Sequence, residues 1–283
     1  MIAMADTGFS GQDASDDFAR ARRRAALGEL AGRLRGQAGD VRTLLPFEEV
    51  VAALGRTGER RLGLQTIRLD TVVGSVDRAG EFDAAMRPRT GRAGRRWKRI
   101  NAAQRQGEGM PPIDVFRVGG LHFIEDGHHR VSVARHLGNE TIEAYVVEVR
   151  TRISPGETLK LSDLPAKSHE RLFVERVPLP SGSLARISFS EPERGYAMLA
   201  EGVEAWGFRL IQGLGEPLDR REVASAWFRD EFEPVVEALT EADLIGHGTD
   251  ADAYLRVADQ RYQLLRTHDW SEEVIDKLRE SLD

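Results

Sequence analysis

Apolar and polar positions change rhythm several times along the chain. Over residues 13–34 the apolar positions Phe18, Ala21, Ala25, Leu27, Leu30 and Leu34 are spaced for a helix, set around a basic surface of Arg20, Arg22, Arg23 and Arg24. A shorter helix is expected over 47–54, opened by Pro46 and stopped by Gly55. The period then drops to two, and residues 64–70 alternate as a half-buried strand. Residues 113–118 and 121–125 read as two strands joined by Gly119-Gly120, a turn able to take positive φ at both positions. Helical spacing returns over 128–137, with Val133, Ala134 and Leu137 on one face and Gly138 as the stop. Residues 141–149, rich in β-branched and aromatic side chains, form a further strand.

Beyond residue 150 the pattern is broken by Ser154-Pro155-Gly156 and by the Pro- and Gly-bearing stretch 178–182, both turn or linker signals. Residues 184–189 read as one more strand. From Asp219 the chain is helical in three runs, 219–245, 251–270 and 271–282. The expected organisation is therefore a disordered leader over 1–12, N-terminal helices over 13–60, an α/β domain over 61–150, a linker and mixed segment over 151–218, and a helical module over 219–283. No internal repeat at solenoid spacing is present.

Charge and composition narrow the function classes. A chain of 283 residues with 41% hydrophobic and 30% charged side chains is globular rather than disordered. Its net charge of −6 argues against non-specific coating of nucleic acid, which needs broad positive potential. Residues 219–283 hold 17 acidic against 8 basic side chains, a surface that repels phosphate backbones. Residues 87–105 are the opposite, with eight Arg or Lys and no carboxylate. That run is either a solvated face or an anion-facing segment in which Arg95, Arg96 and Arg99 contact nucleic acid. The absence of cysteine removes disulfides, thiolate metal sites and thiol chemistry. The leader has no apolar core of a secretory signal and no run is long enough to span a bilayer, so a cytoplasmic protein without a membrane partner is the expectation.

The stretch 121–138, LHFIEDGHHRVSVARHLG, carries the candidate chemistry. A strand ends in Glu125-Asp126, Gly127 turns the chain, and a helix starts at once. Helix starts present unpaired N–H groups and the positive end of the macrodipole, so an anion is held there. His128, His129 and Arg130 fall in the first turn, the guanidinium fork of Arg130 suits phosphate oxygens, and Gly127 allows close approach to the main chain. Asp126 has two readings: an N-cap accepting from His128 or His129 N–H, or, with Glu125, a Mg²⁺ ligand beside substrate phosphates. The four histidines His122, His128, His129 and His136 show no metal-ligand spacing.

The segment 64–149 resembles the ParB/sulfiredoxin superfamily. The resemblance rests on Asp126-Gly127-His128-His129-Arg130, on the preceding PPIDVFRVGGLHFIE from Pro111 to Glu125, and on SVARHLG after the turn. It implies a mixed α/β sheet with helices and nucleotide binding at the turn. The sulfiredoxin branch needs a cysteine that this chain lacks. Partition proteins follow this domain with a basic helix-turn-helix, where an acidic tail stands here. Free serine kinases share the full turn and place a glutamate base after the first strand. The equivalent register here falls near Val76, with Asp77 the nearest carboxylate, then Glu81 and Asp83.

The resulting expectation is binding of ATP or another NTP with Mg²⁺ at 126–130, with phosphoryl transfer or hydrolysis. In it Asp126, Gly127, His128, His129 and Arg130 hold phosphate, His129 assists catalysis, Glu125 or Asp126 holds the metal, and Asp77 is the candidate base. The alternatives are a nucleotide-sensing or DNA-associated regulator, in which nucleotide switches a homodimer, and a module for a small phosphorylated metabolite.

Overall fold

The computed structural model describes residues 10–34, 43–91 and 94–265. The expected leader over 1–9 and the last helical run, 271–282, lie outside the described residues. The chain divides into two compact units, Met1–Lys167 and Ser168–Asp283.

The first unit is a six-stranded mixed sheet with helices. Its strands are β1 (Leu45–Pro46), β2 (Arg56–Arg68), β3 (Val72–Ser75), β4 (Ile113–Val118), β5 (Leu121–Asp126) and β6 (Thr141–Thr151), in the spatial order β1-β3-β5-β4-β6-β2. The helices are α1 (Ser10–Leu34), α2 (Phe47–Leu54), α3 (Gly94–Arg105) and α4 (His128–His136). β4 and β5 form the expected antiparallel hairpin, with Arg117 opposite His122 and Val118 opposite Leu121. At its turn only Gly119 takes positive φ, +59°. β3 runs parallel to β5, and β6 parallel to β4.

Three departures from the expected pattern have physical causes. β2 begins at Arg56, eight residues before the alternation does, because it is an edge strand paired only with β6 and exposed along most of its length. No apolar period is needed where neither face is covered. The strand expected over 64–70 stops at Arg68, and Leu69–Thr71 is a 3₁₀ turn leading into β3. α1 starts inside the expected leader, since Asp13 and Ala14 are buried and Gln106 donates to Ser10 at 2.9 Å.

The core lies on the α4 side of the sheet. Ile113, Val115, Ile124, Ala144 and Val146 pack with Val131 and Ala134 of α4 and with Phe82 and Met86 from the loop after β3. The phenyl ring of Phe47 stacks on Phe116 at 4.7 Å and meets Phe123 at 5.6 Å. α1 is locked to α3 by the Phe18–Trp97 ring pair, 5.6 Å apart, and by buried Asp17, which accepts from Arg20 and Arg105 at 2.5 and 2.6 Å. Trp97 in turn donates to Ser132 of α4 at 2.9 Å.

The second unit is helical. α5 (Leu164–Arg176) begins in the first unit and continues into it, and it further holds the short α6 (Ser181–Leu184), α7 (Pro192–Leu214), α8 (Arg220–Trp227), α9 (Glu233–Glu241) and α10 (Asp250–Leu265). The strand expected over 184–189 is absent. Ile187 and Phe189 are buried, but they pack around Tyr196 instead of pairing in a sheet: the Phe189 ring is 5.0 Å from Tyr196, whose hydroxyl donates to the Ile187 carbonyl. The single helix expected over 219–245 is α8 and α9 joined by a π-turn at Phe228–Phe232, which turns Phe228 and Phe232 onto Trp227. Asp219 and Glu222 form a capping box at its start. Among the described residues no helix is long and apolar enough to cross a membrane.

Candidate functional site

β5 and β3 end at the same edge of the sheet, and two loops leave it side by side. Ser75 lies opposite Ile124, and Val76 N–H donates to the Ile124 carbonyl at 3.0 Å, so residues 76–78 run beside the turn at Asp126-Gly127. Gly127 holds φ +107°, and a Cβ there would stand 2.4 Å from Ile113 Cγ2. The glycine is thus required by packing as well as by backbone conformation. It is also the residue that caps α4, and no side chain accepts from the helix start. The N-cap reading of Asp126 is therefore replaced: Gly127 is the N-cap, and its lack of a side chain leaves no side-chain cap from that position.

The start of α4 borders a narrow notch lined by Arg78, Arg96, Ile100 and the turn residues Asp126 to Arg130. Its volume of about 10 Å³ holds no more than about one water-sized group. Arg78 comes from the loop after β3 and Arg96 from α3, so three separate elements converge on the helix start. Arg78 lies 3.6 Å from Glu81, and among the described residues Arg96 forms no ion pair.

The two histidines are buried and differ in role. His128 Nε2 is 2.7 Å from Ser75 Oγ, which also accepts from Arg78 N–H at 2.9 Å. With an N–H already donated to the oxygen, the serine hydrogen is available for Nε2, and this bond ties the 76–78 loop to the turn. Burial, with Arg78 beside it, pushes His128 down to about 4. His129 is likewise lowered, by burial and then by Arg96 and Arg78. Its ring meets the Phe82 ring edge-on at 5.4 Å, and among the described residues its Nδ1 is buried without a hydrogen-bond partner. His129 also lines the notch, and a buried polar atom without a partner is a costly arrangement.

Arg130 is placed differently from its expected part. Its Nη1 donates to the Pro111 and Pro112 carbonyls at 2.7 and 2.5 Å, and its Nη2 to Asp126 at 2.5 Å. Arg130 is 9% exposed, and its guanidinium acts as a clip between α4, the end of β5 and the approach to β4. Arg78 and Arg96 are the other two cations lining the notch.

The carboxylates do not converge. Glu125 and Asp126 are successive strand residues whose side chains leave opposite faces, and Asp126 is engaged by Arg130. Among the described residues no group of three His, Asp or Glu is disposed to hold a metal. A Mg²⁺ held by Glu125 or Asp126, as expected from the sequence, would therefore rest on one carboxylate together with the phosphates of a ligand. Asp77 is exposed and is not among the notch residues. Glu81 is the loop carboxylate whose charge reaches His129, and Asp83 is buried and held by Arg87 at 2.8 Å.

No protein-family model matches the chain, and no curated protein matches it either. A larger cleft of 830 Å³ lies at the opposite end of α4, beside Arg135 and Asn139. There Arg135 is engaged by the Leu69, Val72 and Ala84 carbonyls and Arg68 by Asp70, while Glu140 and Lys160 also line the cleft. Arg95 and Arg99 are exposed on α3, clear of the notch, whereas Arg96 lines it. Ser75, Arg78 and the Pro111 and Pro112 carbonyls were missed from the sequence. Only the topology, which sets β3 beside β5, brings them to the turn.

Proposed function

We propose that this protein binds a phosphorylated small ligand, a nucleoside phosphate, with one phosphate group on the first turn of α4. The observation that carries the reading is the side-chain-uncapped helix start enclosed by Arg78 and Arg96, with the buried Nδ1 of His129 among them. Helix amides, macrodipole and two guanidinium groups all favour the same charge. The notch admits a phosphate edge only, so the remainder of the ligand rests on the rim at Arg96 and Ile100.

Binding is better supported than catalysis. A base must come within hydrogen-bonding reach of the group it deprotonates, and the notch carries one carboxylate, Asp126, already engaged by Arg130. The ParB/sulfiredoxin resemblance agrees with a nucleotide as the ligand and supplies the choice of probes.

Thermal shift and titration calorimetry with ATP, ADP, CTP, GTP and inorganic phosphate, each with and without Mg²⁺, test this. At ~100 times its dissociation constant a ligand should add about 2.7 kcal/mol of stability. Arg78→Ala and Arg96→Ala should each weaken binding by about 1.5–3 kcal/mol, the range for hydrogen bonds to charged groups. No shift with any of these ligands at several millimolar would overturn the reading. Phosphorus NMR of the same mixtures separates a binder, which leaves the nucleotide intact, from a phosphotransferase or hydrolase.

A further inference from the structure

The chain as a whole carries −6, yet α1 and α3 together hold ten basic and four acidic side chains. One of those four, Asp17, is buried between Arg20 and Arg105, so it adds nothing to the surface. Where the two helices lie side by side they leave a cleft of 540 Å³ floored by Phe18 and lined by Arg22, Arg23, Arg89 and Lys98, with Glu29 its one carboxylate. Glu29 stands 3.9 Å from Arg89.

Elsewhere in the first unit arginines are commonly paired: Arg56 with Glu59, Arg68 with Asp70, Arg87 with Asp83, Arg117 with Glu148. Among the described residues Arg22, Arg23, Arg95, Lys98 and Arg99 form no ion pair. At 100° per residue, Lys98, then Arg95 and Arg99, then Arg96 follow one another around the exposed side of α3. Lys98 lines the cleft and Arg96 the notch, so one basic band joins the two.

We propose that this band, from the α1–α3 cleft across α3, binds the phosphate backbone of a nucleic acid independently of its sequence. Its cations are mostly guanidinium groups, whose fork matches phosphate oxygens. Among the described residues no large aromatic ring stands exposed along it to stack on a base, so contact is with the backbone. A concave cleft between helices admits a strand of phosphates, whereas a bilayer presents a plane. Exposed Leu27 and Leu30 on α1 make an anionic membrane the competing partner.

The test is fluorescence anisotropy of the full chain with a labelled random-sequence DNA duplex and with the corresponding single strand. With about four phosphates contacted, duplex affinity should fall on the order of a hundredfold between 50 and 200 mM salt. Arg22→Gln with Arg23→Gln should cut that fall to about tenfold, whereas Arg22→Lys with Arg23→Lys should retain it, which separates lost charge from lost fold. Neither pair touches the notch, so the nucleotide thermal shift should be unchanged. Failure of one reading is thereby distinguishable from failure of the other. Absence of binding to both probes at 50 mM salt would overturn the proposal, as would a salt dependence identical in the Gln pair. Binding to phosphatidylserine vesicles without binding to either DNA would assign the band to a membrane instead.

Discussion

Arg130 shows how a residue type can be legible while its task is not. An arginine in the first turn of a helix after a glycine turn reads as a phosphate ligand, and the sequence offers nothing to say that two proline carbonyls 18 and 19 residues upstream will claim it. Removing it strands those carbonyls and Asp126 together. Arg130→Ala is therefore expected to destabilise the first unit by about 1.5–3 kcal/mol, more than a surface arginine would, with any loss of ligand affinity following from the displaced turn. Chemical denaturation of the variant decides this: a change within about 0.5 kcal/mol would return Arg130 to the ligand. Gly127→Ala should also cost stability, because its Cβ would overlap Ile113 and φ is +107°. The Gly127→Ala/Ile113→Ala pair should recover the steric part only.

Elements were legible where alternation or glycine punctuation marks them. β4 and β6 alternate buried and more open positions, whereas β5 is buried on both faces from Leu121 to Ile124 and α4 is buried from His128 to Ala134, so these two are marked by their apolar content and by Gly127 and Gly138. β2 was half-read because its first half has no covered face, and β3 was missed because four residues give no period. α7 was missed for another reason. Gly195, Gly202, Gly207 and Gly213 lie inside it and read as breakers, but two of them are contact points. A Cβ at Gly195 would meet Phe189 at 2.2 Å, and one at Gly207 would meet Val223 at 2.3 Å, while Gly202 faces open space. The two classes should respond oppositely to the same change. Gly202→Ala is expected to stabilise by about 0.5–1 kcal/mol through helix propensity alone. Gly207→Ala is expected to destabilise by about 1–3 kcal/mol through overpacking against α8. Thermal melts of the two variants check this, and equal shifts of one sign would contradict it.

At the scale of the molecule, buried neutral histidines set the response to acid. His122 and His128 are both pushed down to about 4, His122 by burial and Arg117, His128 by burial and Arg78. Unfolded histidine titrates near 6.5. Between those values the unfolded chain takes up protons that the folded chain refuses, so stability is full above pH 6.5 and declines as pH falls toward 4. The loss is on the order of 3 kcal/mol for each group. Asp17, held down to about 2 by Arg20, Arg105 and His136 against the cost of burial, weakens the fold only below the ordinary carboxylate range near 3.8. Urea midpoints at pH 7.5, 6 and 4.5 should fall in that order, and His128→Gln, which keeps a partner for Ser75, should flatten the trend. A midpoint constant from pH 7.5 to 4.5 would contradict the assignment.

The Arg130 clip also bears on the order in which the first unit assembles. It closes a chain segment of fewer than 20 residues that contains the whole β4–β5 hairpin and the head of α4, whereas the β2–β6 ladder must bring Arg56 to Thr151. Short closures cost less chain entropy than long ones, so hairpin and helix head come together first and the outer ribbon zips on last. In stopped-flow measurements the damage of Arg130→Ala should accordingly be read as slower refolding more than as faster unfolding. The turn proposed to hold the ligand is then also where the chain first commits to its shape.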